Sequence, residues 1–313
     1  MPHRKAEKPH NILDEPLHGF YIPTALFLVG ITITTYMSQE YRILYCLPVF
    51  FGIVLVRIVS ALTRLKSITV NGWHELELME QTLISKNSAI YRFRMKSNVD
   101  FLDFAPGQHL AVRVKIEGKE YVRTYTPISP RHERGFFDII VKSYPDGTVS
   151  KYFAGLVPGQ TVEFQGPVGK LNYVPNSSKE IGFIAGGSGI TPLLQLVNEI
   201  VTVPEDFTKI KVIYLNETEN DILLREELNE MSDKYPNFQI AYVLHKPHQD
   251  WPGYTGYITK ELMEKHLPAA DDDNRLFMCG PKGMNDMALN FASELGWKVR
   301  SQPSHPDDQV FVF

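Results

Sequence analysis

The sequence predicts three consecutive parts: an N-terminal transmembrane helical hairpin, an antiparallel β-barrel, and an α/β domain built on a parallel sheet. Three observations predict them. Residues 17–37 carry no Asp, Glu, Lys or Arg, and a second apolar run follows at 43–62. From Trp73 to about Tyr173 the chain breaks into short alternating segments punctuated by Gly, Pro, Asn and Asp. After residue 180, strand-like runs alternate with helical ones. A chain of 313 residues accommodates two ordinary domains and an appendage. With 43% apolar and 22% charged residues it is a folding composition.

The hairpin rests on length and on what interrupts it. As a helix, residues 17–37 would extend about 32 Å, enough to cross the hydrocarbon core. Ser38-Gln39-Glu40-Tyr41-Arg42 is a short polar link, and the second run holds one charge, Arg57, near enough to its end to snorkel. A signal peptide fits poorly, because no small-residue cleavage site follows the first run and a second run comes at once. Two core helices of a soluble domain are the plainer alternative. Arg4, Lys5 and Lys8 precede the hairpin and Arg64 and Lys66 follow it, so the positive-inside rule puts both ends in the cytosol; if only the first run spans, the reductase domain lies across the membrane instead. Residues 1–66 are thus assigned to an N-terminal tail and two transmembrane helices, in the endoplasmic reticulum or the plasma membrane.

In the barrel region, residues 91–95 and 110–114 alternate and 136–141 are apolar and β-rich. Residues 176–179 read as a linker. Beyond it, 181–185 are a buried strand running into a glycine loop, and further strands fall at 211–215, 239–244 and 276–279. Helices are expected at 193–203, 226–235 and 284–295. This alternation implies a parallel sheet with ligands at the carboxyl ends of its strands. The resulting domains are 73–175 and 180–313.

Charge and cysteines narrow the function. Residues 113–151 hold eight Lys/Arg against five Asp/Glu, a surplus of three, and 199–273 hold seven against sixteen, a deficit of nine. So small and dispersed a surplus is no nucleic-acid footprint. The only cysteines, Cys46 and Cys279, make a structural disulfide improbable and are too few to ligate an iron–sulfur cluster. No zinc-ligand spacing or Ser-His-Asp set is present.

Four motifs remain. Arg123-Thr124-Tyr125-Thr126-Pro127 offers a guanidinium fork suited to phosphate, a ring and a hydroxyl. Alone it would be an Arg and a Tyr on a solvated strand. Gly186-Gly187-Ser188-Gly189-Ile190-Thr191-Pro192 lies between a strand and a helix, where backbone approaches a ligand closely, though it is not the Gly-x-Gly-x-x-Gly fingerprint. Cys279-Gly280-Pro281 ends a strand, and Phe311-Val312-Phe313 ends the chain. In this order and spacing the four resemble the ferredoxin-NADP reductase superfamily. The terminal Phe-Val-Phe narrows the resemblance, over about 73–313, to the NADH-cytochrome b5 reductase family and its fungal membrane-bound members.

The resemblance implies an FAD-binding barrel and an NAD(P)H-binding α/β domain. On the flavin side it points to Arg123, Tyr125, Thr126 and Pro127, to Val141, Lys142 and Tyr144 on a second strand, and to Gly147, Val149 and Ser150 near the pyrophosphate. Asp146 stands where many relatives have glycine, and His109 reads as structural. On the nicotinamide side it points to Gly187, Ser188, Gly189, Thr191, Cys279, Gly280, Pro281 and Met284, with Phe313 guarding the flavin face. Thr126 and Cys279 are the residues placed nearest the chemistry, Cys279 in a positioning and electrostatic role. Relatives that prefer NADH commonly carry an Asp after the third strand of this domain; Val243-Leu244-His245-Lys246 stands there, so NADH is the expected coenzyme and NADPH is possible.

The implied activity is hydride transfer from NADH to FAD and single-electron delivery to cytochrome b5 or a similar haem protein. Lys142, Lys151 and Lys170 would steer that acidic partner. The enzyme is expected to be a monomer anchored in lipid. Two alternatives stand beside it: an NAD(P)H-dependent quinone or ferric reductase, and an inactive membrane scaffold that keeps the reductase fold.

Overall fold

The computed structural model describes residues 22–62, 66–300 and 302–313, in two compact units, 1–66 and 67–313. In the first unit, α1 (Ile22–Ser38) and α2 (Cys46–Leu62) flank a 3-10 turn at Tyr41–Tyr45. Gln39, in the left-handed region at φ 56°, ends α1. The second helix begins at Cys46 rather than Ile43 because Pro48 is tolerated only in a first turn. Phe27 and Phe50 stack across the pair with centroids 4.2 Å apart. Thr32, Thr34 and Ser38 donate their hydroxyls to carbonyls one turn back, at 2.7–2.8 Å. Among the described residues no helix is long and apolar enough to cross a membrane, each of these two having 17 residues. The start of the expected first span, 17–21, lies outside the described residues.

The second unit opens with six strands: β1 (His74–Ser85), β2 (Ser88–Arg94), β3 (His109–Ile116), β4 (Lys119–Tyr125), β5 (Phe136–Lys142) and β6 (Thr161–Val168). They pair antiparallel in the order β4-β3-β6-β1-β2-β5. A bridge between Pro127 and Ile139 brings the two edges together and closes the barrel. Its core is aromatic: the Phe164 ring lies 4.7 Å from Phe93 and 5.2 Å from Phe137. A short helix, α3 (Thr148–Ala154), plugs one end with Phe153, whose ring is 5.1 Å from Tyr91 and 5.4 Å from Tyr125. Sequence reading found β2, β3 and β5; the long amphipathic β1 escaped it.

The remaining strands are β7 (Glu180–Gly186), β8 (Lys209–Asn216), β9 (Phe238–Leu244), β10 (Tyr254–Thr255), β11 (Asn274–Cys279) and β12 (Val310–Val312). All six are parallel, in the order β10-β9-β8-β7-β11-β12. The order reverses between β7 and β11, so the carboxyl ends of those two strands flank a topological switch point. Helices α4 (Thr191–Thr202), α5 (Arg225–Lys234), α6 (Lys260–His266) and α7 (Lys282–Glu294) connect them. In α4, Leu193, Leu196, Val197 and Ile200 recur on one buried face, as the apolar periodicity requires. The edge strands β10 and β12 are too short for periodicity to reveal.

The two sheets share a core, since Ile140, Leu171 and Tyr173 of the barrel side pack with Phe183 and Leu193. The expected linker is pinned. Tyr173 donates its hydroxyl to Asp206 Oδ2 at 2.6 Å, and Asn176 Nδ2 donates to Glu205 O at 2.7 Å.

Candidate active site

Between the two sheets lies an open cleft. From the barrel it is lined by Arg123, Thr124, Tyr125 and Thr126 at the end of β4, by Ile140 and Lys142 on β5, by Tyr144 just beyond it, and by 146–150. From the α/β side come Gly186, Ser188, Gly189, Thr191 and Pro192 after β7, then Cys279, Gly280 and Pro281 after β11, and Phe313.

Strand parity decides which β5 side chains reach the cleft. Ile139 and Val141 point into the barrel core, whereas Ile140 belongs to the shared core and lines the cleft, as does Lys142. The Val141 side chain is therefore core, and Ile140 is a lining residue that motif reading missed. The signal was present: a strand apolar at every position from 139 to 141 is covered on both faces.

Arg123 is exposed and donates only to the Val122 carbonyl, at 2.8 Å; no acid pairs with it among the described residues. Its guanidinium charge is thus uncommitted. Tyr125 is fixed against Phe153, and burial, opposed by the nearby Arg123 charge, pushes its phenol up to about 12. His109 lines the cleft against Gly169, and burial lowers its pKa, so it is neutral at pH 7.

The two glycine-bearing loops meet backbone to backbone. A Cβ on Gly189 would sit 2.0 Å from the Cys279 carbonyl oxygen, and one on Gly280 would sit 2.5 Å from Met284 Cε. Gly187, at φ 53°, turns the chain and accepts the Tyr214 hydroxyl on its carbonyl at 3.0 Å. Thr191 is buried and donates to Ser188 O at 3.2 Å. Met284 packs beneath the loops rather than in the cleft. Burial pushes the Cys279 thiol up to about 12, which keeps it protonated and non-nucleophilic. Phe313 is held by its N–H to Met278 O at 3.0 Å and by the rings of Phe183, Phe277 and Phe311.

Pro127 faces away from the cleft, into a separate small pocket with Phe104, Arg131 and Glu199. Lys142 is not free to steer a partner. Its Nζ donates to Asp221 Oδ1 at 2.8 Å, and its side chain is 10% exposed. Lys151 and Lys170 remain on the surface.

Residues 75–173 match the oxidoreductase FAD-binding domain and residues 183–290 the oxidoreductase NAD-binding domain. The plasma membrane-associated coenzyme Q6 reductase PGA3 of Saccharomyces cerevisiae is 59% identical over 97% of both chains. NADH-cytochrome b5 reductase 1 of Debaryomyces hansenii is 41% identical, over 78% of this chain and 86% of its own. The chain belongs to the NADH-cytochrome b5 reductase family. Among solved structures, the cytochrome b5 reductase domain of Ulva prolifera nitrate reductase superposes with a TM-score of 0.73 at 28% identity, covering 80% of this chain and all of that one.

The chain is accordingly an oxidoreductase with FAD-binding and NAD-binding domains of the b5 reductase type. The cleft fits both groups. It offers an uncommitted guanidinium at one end, an aromatic and hydroxyl wall in the middle, and a backbone cradle at the switch point that side chains would fill.

Proposed function

We propose that this enzyme takes electrons from NADH through FAD and delivers them to an acceptor at a membrane to which its first two helices anchor it. The observation that carries the reading is the single cleft, to which the barrel contributes Arg123, Tyr125 and Thr126 and the α/β domain contributes Thr191, Cys279 and Phe313. When bound, FAD supplies the exchange between a two-electron donor and single-electron steps. The chain's own residues orient and shield. Arg123 holds pyrophosphate charge, and Tyr125, braced by Phe153, presents a flat face. Gly147, Val149 and Ser150 shape the end near the pyrophosphate. Gly187, Ser188 and Gly189 bring backbone to the coenzyme, and Gly280 and Pro281 close the far side. The Thr126 and Thr191 hydroxyls and the neutral Cys279 thiol polarise the reacting edge without giving up a proton. Phe313, held on Phe183, Phe277 and Phe311, would shield a flavin bound in the cleft from solvent. Catalysis on this reading is positioning of two rings.

Anchoring is supported by the first unit's surface. Leu26, Val29, Ile33, Val49, Ile53 and Leu55 are each more than half exposed, an apolar surface suited to lipid. The charges at 4, 5 and 8 and at 64 and 66 put the catalytic domains on the cytosolic side. Division into a tail with two spans at 1–66, a flavin domain at 73–175 and a coenzyme domain at 180–313 follows from the same reading.

For the acceptor, two observations favour a membrane quinone. The 59% identical relative is named a coenzyme Q6 reductase, and Lys142 is withdrawn from the basic cluster that a haem protein would meet. Cytochrome b5 is the second reading, favoured by relatives named for it.

The test is an anaerobic absorbance titration of detergent-purified protein with NADH, followed by a short-chain quinone or ferric cytochrome b5. A flavin spectrum bleached by NADH and restored by quinone faster than by cytochrome b5 supports the reading. Faster return with cytochrome b5 selects the second. A protein that binds no flavin overturns both.

A further inference from the structure

At the switch point Gly186 of β7 pairs with Leu215 of β8, so Glu217 stands two residues past that pair, just beyond the end of the strand next to the one that carries the glycine loop. In dinucleotide-binding α/β sheets, an acid at this kind of position accepts the ribose 2′-hydroxyl, whereas a cation there accommodates a 2′-phosphate. The next strand, β9, ends with Leu244 opposite Asn216, and His245 and Lys246 follow. The two segments stay zipped past the strand ends: His245 N donates to Asn216 O at 3.0 Å, and Lys246 N donates to Glu217 O at 2.7 Å. This fixes the Lys246 ammonium on the Glu217 carboxylate as an ion pair. His245 is turned aside, its ring 4.4 Å from that of Tyr257 and its Nε2 3.2 Å from the Tyr257 hydroxyl.

We propose that Glu217 is the coenzyme-selecting residue: its carboxylate accepts the ribose 2′-hydroxyl and cancels Lys246, so a 2′-phosphate meets an occupied cation and a like charge. The inference rests on the NADH reading above. Lys246, taken alone, would favour NADPH. The pair is half exposed and therefore weak in itself, with Lys246 at 68% and Glu217 at 49%. Selectivity is then a balance that one substitution tips.

The experiment measures kcat/KM for NADH and NADPH with the full-length, FAD-loaded protein at low ionic strength, where charge effects are largest. In Glu217→Gln the NADPH to NADH ratio rises by about 10-fold or more, the size of one lost charge-assisted contact. In Glu217→Gln/Lys246→Met the NADPH gain disappears. Added salt erodes the single variant's gain. A ratio in Glu217→Gln within about twofold of wild type, with flavin content and NADH turnover intact, overturns the inference, as does a gain that survives removal of Lys246. Wild-type protein whose bound flavin neither coenzyme reduces would overturn the NADH reading itself, a result distinct from either.

Discussion

Lys142 Nζ lies 2.8 Å from Asp221 Oδ1, tying the end of β5 to the turn that follows β8. The two residues are 79 apart in sequence, and the bond crosses from the flavin sheet to the coenzyme sheet. Asp221 is in turn gripped by Thr218, whose N–H and hydroxyl donate to Oδ2 at 3.1 and 2.7 Å. On the other side of the interface the contacts are mainly amide bonds: Gly107 N donates to Gln195 Oε1 at 2.6 Å, and Asn198 Nδ2 donates to Ile128 O at 3.1 Å. The cleft is thus braced by α4 on one flank and by an ion pair on the other.

Breaking that ion pair should show in stability and in its pH dependence. Burial opposes ionisation of Asp221, but hydrogen bonds from Lys142 and Thr218 outweigh it and hold its carboxyl below the ordinary 3.8. A depressed carboxyl stabilises the fold above its unfolded pKa and loses that contribution as pH falls through the folded value. Asp221→Asn should therefore cost about 1–3 kcal/mol at pH 7, the penalty of stranding a largely buried Lys142. The gap from wild type should narrow below pH 3.8, as urea unfolding at stepped pH would show. A gap that is the same at pH 7 and pH 3 contradicts the account.

The loop crossing sets a second expectation. Gly189→Ala places a methyl 2.0 Å from the Cys279 carbonyl oxygen, where backbone must shift. Gly187→Ala meets open space but keeps φ 53°, which costs roughly 1–2 kcal/mol. Thermal unfolding should rank Gly189→Ala well below Gly187→Ala, and the former should lose NADH-dependent flavin reduction as well. Equal melting temperatures would refute the close approach.

How much of this was legible in the sequence follows from how local each feature is. The strands 91–95 and 136–141 and the helix 193–203 carry their own periodicity, so β2, β5 and α4 fell within a few residues of expectation. The strands β10 and β12, two and three residues long, exist only because a neighbouring strand is there to pair with. Motif spacing found Arg123, Tyr125, Thr191, Cys279 and Phe313, which the fold gathers into one cleft. It missed Ile140 and Asp221, since nothing local marks a residue whose role is to meet another domain. It also assigned Lys142 to a steering patch, because sequence shows a cation but not the acid 79 positions away.

Arg123 separates cofactor binding from folding. Its guanidinium is exposed and makes one hydrogen bond, to the neighbouring Val122 carbonyl. Surface substitutions of this kind shift stability by no more than about 0.5 kcal/mol. Arg123→Ala should leave flavin-free protein as stable as wild type while lowering the flavin-to-protein absorbance ratio severalfold. Arg123→Lys should recover part of it, since a point charge replaces a bidentate fork. A fully flavinated alanine variant would remove Arg123 from the pyrophosphate.

Cys279 offers a test with both chemical and thermodynamic signatures. Burial pushes its thiol from 9.0 up to about 12, and Tyr125 moves from 10.0 to about 12, again chiefly through burial. Groups with raised folded pKa values contribute stability that is complete below their unfolded values and is lost as pH rises through the folded ones. The window here is pH 9 to about 12, and Cys279→Ala should flatten the alkaline loss of stability across it. At pH 8 iodoacetamide should label Cys279 at least about 100-fold faster in urea than in the native protein, because native thiolate is scarce and enclosed. Cys279→Ala should retain FAD yet slow flavin reduction by NADH about 10-fold, as expected for a positioning group rather than a nucleophile. Rapid native labelling of Cys279 would show an accessible thiolate and overturn that role.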